Sequence, residues 1–128
     1  MRTQAASAMF LLLSGVPAHA DREQGREVFR SECIACHAIA CNKAGPKLNG
    51  VIGRTAGEVA DYSGYSDAMR AADFTWTIEK LDAFIADPEA VVPGNGMAGS
   101  AGRLEDGTAR RHLLDFLQEP DESLDLCF

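Results

Sequence analysis

A chain of 128 residues is enough for one domain with a modest hydrophobic core. Its formal charge of −7 at pH 7, with the basic residues scattered rather than clustered, excludes a nucleic-acid binder, because the phosphate backbone would repel it. The same charge favours a basic, or locally basic, protein partner.

The chain opens as a secretory signal peptide does. Arg2 supplies the positive start, and Ala8-Met9-Phe10-Leu11-Leu12-Leu13 a short apolar core. Ala18-His19-Ala20 is a small-x-small cleavage site with Asp21 after it. The apolar stretch is too short to span a bilayer, and Pro17 would break a helix behind it. Residues 1–20 are therefore expected to be removed on export to the periplasm, leaving 21–128 as the folded domain; an uncleaved N-terminal anchor is the alternative. No apolar run in 21–128 is long enough for a membrane span.

Asp21 with Gln24 resembles a capping box and predicts a helix running through Phe29. It leads into Cys33-Ile34-Ala35-Cys36-His37, the spacing of c-type haem attachment. Two intervening residues put the sulfurs about one helical turn apart. They can then reach the two vinyl groups of one porphyrin while the next imidazole turns under the iron. Three other readings compete. A zinc site would want a second Cys or His pair, and Cys41, His112 and Cys127 are not so spaced. A thioredoxin-like pair should sit near a βαβ pattern, and none is visible. Four cysteines at 33, 36, 41 and 127 match neither common ferredoxin spacing. One covalent haem c, with its iron on His37, is the expected cofactor.

From Ala38 to about Gly64 the chain is rich in Gly, Asn and Lys and lacks periodicity, which predicts a loop. Ser66 to Ala71 predicts a short helix. Thr77 is placed to cap another, with Leu81, Phe84 and Ile85 on one face and Pro88 at its end. Val91 to Gly102 is a second irregular stretch. A last helix is expected from about Asp106, with Leu113, Leu114, Phe116 and Leu117 inward and Pro120 stopping it. Alternating β-branched runs are absent, so the domain is expected to be all-α. Two long loops make sense if the chain wraps a large cofactor whose two faces need cover.

Taken together, these residues resemble the class I cytochromes c, the branch that holds mitochondrial cytochrome c and the bacterial cytochromes c2. Gly25 and Phe29 match the first-helix glycine and aromatic of that family, and Gly45-Pro46-Lys47-Leu48-Asn49-Gly50 its Gly-Pro-x-Leu-x-Gly segment. Gly53-Arg54 matches its Gly-Arg pair. The run from Trp76 to Met97 matches without gaps, and Pro93-Gly94-Asn95-Gly96-Met97 looks like its methionine loop. The resemblance implies a small cytochrome c fold, helices and loops around one covalently bound haem. It implies that the Pro46 carbonyl accepts a hydrogen bond from the His37 imidazole and so fixes its tautomer. It also implies that Arg54, Tyr65 and Trp76 serve a buried haem propionate, which needs donors. Tyr65 is preferred to Tyr62 by its distance to Trp76.

The sixth iron ligand decides the function. Within 21–128 the candidates are Met69, Met97 and His112. Met97 stands 60 residues after His37 in a Pro-Gly-rich loop able to cross the opposite haem face. Met69 reads as core filler, and His112, beside Arg110 and Arg111, as solvent-facing. Loop chemistry and the resemblance together favour Met97. A thioether closes the site to small ligands and raises the potential. No acid–base pair or substrate pocket is visible, so a monomeric electron carrier between redox protein partners, not an enzyme, is expected. The alternatives are a ligand-binding or peroxidase-like haem protein, and an electron-transfer subunit dedicated to one complex.

Three features depart from the family. The loop after His37 is shortened and contains Cys41. Phe84 stands where a tyrosine commonly touches the ligand methionine. The lysine-rich face near the haem edge is replaced by Asp87-Pro88-Glu89-Ala90 and Gly94-Asn95-Gly96. With Cys33 and Cys36 used by haem, one intramolecular pairing remains, Cys41 with Cys127. In the fold that the resemblance implies, the first and last helices cross beside the haem, so a C-terminal tail can reach the shortened loop. A free thiol, a covalent dimer through Cys127 and a buried Cys41 stay open.

Overall fold

The computed structural model describes residues 18–97, 103–124 and 127. The expected signal core therefore lies outside the described residues. Among the described residues five α-helices, α1 (Ala18–Val28), α2 (Asp67–Ala71), α3 (Ile78–Ala86), α4 (Pro88–Val91) and α5 (Gly107–Gln118), carry the fold. Among the described residues there is no strand, only an isolated antiparallel bridge between Thr55 and Thr75. The domain is all-α, as its periodicities imply.

Local chemistry sets most helix starts. The Ser66 hydroxyl accepts from Met69 N–H at 3.1 Å and opens α2. Thr77 does the same for Lys80 N–H in α3, and Asp106 accepts from Thr108 and Ala109 N–H in α5. Asp87 closes α3 and, with Pro88 at the first helical position, opens α4. Pro88 is expected from the sequence to stop α3. The same residue also starts a helix, because its missing N–H costs nothing in a first turn.

The first helix begins at Ala18, three residues before Asp21, so Asp21 lies inside the first turns and is not their cap. At its other end α1 widens into a π-helical turn, Phe29–Cys33, closed by Ile34 N–H on Phe29 O at 3.0 Å. Cys33 ends that turn and Cys36 follows in the next, with Cys36 and His37 N–H both on Cys33 O.

The first helix crosses α5 at close range. A Cβ on Gly25 would strike the His112 carbonyl oxygen and lie 2.7 Å from Phe116 Cβ. Glycine lets the backbones meet, and Phe29 then packs on Phe116 with ring centroids 5.7 Å apart. The core joins these two rings to Leu113, Leu114 and Leu117 of α5 and to Leu81 and Phe84 of α3. Ile39, Val51 and Ala56 from the first loop join it, with Trp76 and Val92. Each fully buried side chain of this kind contributes about 1.5–3 kcal/mol.

His112 is not solvent-facing. Only 11% of its side chain is exposed, and its Nε2 lies 3.4 Å from Asp21 Oδ1. The crossing at Gly25 brings α1 over it, which the neighbouring arginines in sequence did not reveal. Beyond α5 the chain turns back along α1. Arg22 Nη1 meets Glu119 Oε2 at 3.2 Å, and Arg26 Nε approaches Asp121 Oδ2 at 3.6 Å.

Candidate functional site

The end of α1 delivers two half-buried cysteines outside any disulfide, Cys33 and Cys36, with His37 directly after them. Burial first, then Glu32 and Cys36, push the Cys33 thiol up to about 12, so it is held as a thiol and not a thiolate.

Two contacts orient His37. Its Nδ1 lies 2.8 Å from the Pro46 carbonyl oxygen. A carbonyl can only accept, so the proton sits on Nδ1 and the Nε2 lone pair is left for a metal. Gly45 lies against the ring: a Cβ there would strike Cε1 and come 2.7 Å from both ring nitrogens. The loop that supplies both residues closes on the attachment turn through Gly45 N–H on Cys36 O at 2.7 Å and Lys43 Nζ on Ile34 O at 2.6 Å. Burial above all pushes the imidazole below its ordinary range. The Pro46 carbonyl opposes this, and the positive Arg54 and Lys43 add to it. A neutral imidazole is what iron ligation requires. A cradle without a Cβ, a committed tautomer and two thiols one turn away together fit a covalently attached haem.

Arg54 and Trp76 are brought together by the backbone. Trp76 N–H donates to Arg54 O at 2.8 Å, and Gly53 N–H to Trp76 O at 2.7 Å. Trp76 is buried edge-on between Phe74 and Phe84, with centroids 4.8 and 5.0 Å away. The half-buried Arg54 guanidinium donates from Nη1 to Lys47 O at 3.0 Å and to Asn49 O at 3.4 Å. Burial lowers its pKa, and Tyr65 acts on it in the opposite sense. Tyr65 accepts Val59 N–H at 3.2 Å on its hydroxyl oxygen, whereas Tyr62 donates to the Ala44 carbonyl beside the His37 cradle.

Met97 is half-buried and packs against the core. Its amide donates to Asn95 Oδ1 at 2.9 Å. Asn95 is 2% exposed, the one buried polar side chain among the described residues. Sequence reasoning gave it no role. The signal available was its place two residues before Met97 in a turn. Met69 lies half-buried at the edge of the core. Cys41 and Cys127 are drawn together as a disulfide with Cα atoms 5.9 Å apart, tying the tail to the loop after His37.

Residues 22–101 match the family model for cytochrome c. Over 84 residues the chain is 48% identical to a cytochrome c2 of Agrobacterium tumefaciens (strain II Chrys), covering 61% of this chain and 74% of that one. Over 94 residues it is 43% identical to a cytochrome c2 of Blastochloris viridis, covering 70% and 72%. Among solved structures it superposes on cytochrome cH from Methylobacterium extorquens with a TM-score of 0.71 and 35% identity. That match covers 77% of this chain and 97% of that one.

Proposed function

The chain belongs to the cytochrome c family of small electron-carrying haem proteins with covalently bound haem c, and from that premise we propose that it is an exported, monomeric carrier whose haem is bonded to Cys33 and Cys36 and ligated by His37 and Met97. The bound haem supplies a one-electron iron couple. The protein's residues do the rest. Cys33 and Cys36 each add sulfur and hydrogen across a vinyl group, so attachment needs no oxidant. His37 presents Nε2 because Nδ1 is committed to Pro46. Met97 would supply the second iron ligand from its loop, and Arg54, Tyr65 and Trp76 would supply donors for a propionate.

The observation that carries this reading is the His37–Pro46 hydrogen bond immediately after a Cys-x-x-Cys turn. The signal-like segment at 1–20 supports export to the periplasm, and no described helix is long and apolar enough to cross a membrane. Docking on a basic face of a redox partner is supported by charge. The formal charge is −7, and Arg22, Arg26, Arg30, Lys47, Arg103 and Arg110 each already lie within 3.4 Å of a carboxylate. Binding should therefore weaken as added salt shortens the Debye length to about 10 Å.

The visible spectrum tests the reading. A far-red sulfur-to-iron band in the ferric protein, with no shift when carbon monoxide meets the ferrous form, is expected of the carrier. A carbon monoxide complex forming at once would point to a ligand-binding haem protein.

A further inference from the structure

Glu89 has no role in electron transfer as described above, yet its carboxylate folds forward over the loop that carries Met97. Oε1 and Oε2 lie 3.1 and 3.2 Å from the Gly94 amide nitrogen, and Oε2 lies 3.4 Å from Asn95 Nδ2. Asn95 passes the restraint on. Its Nδ2 also donates to Val92 O at 2.8 Å, and its Oδ1 accepts Met97 N–H at 2.9 Å. Gly94, at φ +83°, makes the turn that aims its N–H back at the carboxylate. One carboxylate and one buried amide thus tie Val92, Gly94, Asn95 and Met97 into a closed clasp.

We propose that Glu89 is a positioning residue that, through Gly94 and Asn95, holds the Met97 loop closed and so sets how readily an outside ligand displaces the Met97 sulfur. This rests on the reading of Met97 as sixth ligand. For an outside ligand to bind, the sulfur must leave the iron and the loop must swing away, breaking the clasp. Hydrogen bonds to a charged acceptor are about twice as strong as neutral ones. The apparent affinity for an outside ligand scales with the open fraction of the loop, so removing the carboxylate should raise it.

Imidazole titration of the ferric holoprotein, followed by loss of the far-red band, tests this. Glu89→Ala should bind imidazole about tenfold more tightly than the parent, equivalent to about 1.4 kcal/mol. Glu89→Gln keeps a neutral acceptor and should gain about threefold. Glu58→Ala removes another exposed carboxylate, outside the clasp, and should stay within about twofold of the parent. Both Glu89 variants staying within about twofold overturns the proposal, as does Glu58→Ala gaining as much as Glu89→Ala. A parent protein without the far-red band overturns the Met97 reading and the clasp with it. A band present with unmoved imidazole affinity overturns the clasp alone.

Discussion

The Nδ1 of His37 lies 2.8 Å from the carbonyl oxygen of Pro46, nine residues further along the chain. That one bond decides which imidazole nitrogen can face a metal, and the intervening loop exists in the form needed to make it.

Gly45 is where that loop touches the ring. A Cβ there would come 2.7 Å from both ring nitrogens. Gly45→Ala must therefore push the ring or the loop aside, at a cost of about 1–3 kcal/mol. We expect a lower denaturant midpoint and less low-spin haem per chain, measured by urea unfolding and haem assay. Parent-like values for both would contradict the cradle.

Met97→Ala should open the iron to water, azide and carbon monoxide and abolish the far-red band. The same variant keeping the parent's ferric spectrum would assign the ligand to another residue.

The crossing of α1 and α5 admits no side chain at position 25. In Gly25→Ala the new methyl meets the His112 carbonyl and Phe116 Cβ, both held by the helix backbone. Destabilisation of about 1–3 kcal/mol is expected, despite alanine's better helix propensity. Equal or higher stability by chemical denaturation would show that the helices can part without cost.

Cys41 and Cys127 close a loop across a sequence separation of 86. Chain-entropy reasoning gives about 4–5 kcal/mol for such a closure, less any strain. Thiol titration of freshly isolated, unreduced holoprotein should find no free thiol. The double variant Cys41→Ser with Cys127→Ser should unfold at markedly lower denaturant. Two titratable thiols in the parent would rule the bridge out.

Much of the site was legible in the sequence because it is written within a few residues. Cys33, Cys36 and His37 share one turn, so their chemistry follows from spacing alone. Ser66, Thr77 and Asp106 cap their helices through donors two or three residues on, and Gly25, four residues before Phe29, marks a close crossing. Pro46 was identified by resemblance, and the 2.8 Å geometry gives it a physical role. Only the tertiary structure decided the remainder. His112 is covered because α1 lies over it, and Asp21, expected as a cap, faces its Nε2. Arg22 meets Glu119 and Arg110 meets Asp82, pairs 97 and 28 residues apart in the chain. The physical reason is range: caps and turns are settled by backbone groups within one helical turn, whereas burial and charge pairing depend on which distant segments the packed core sets side by side.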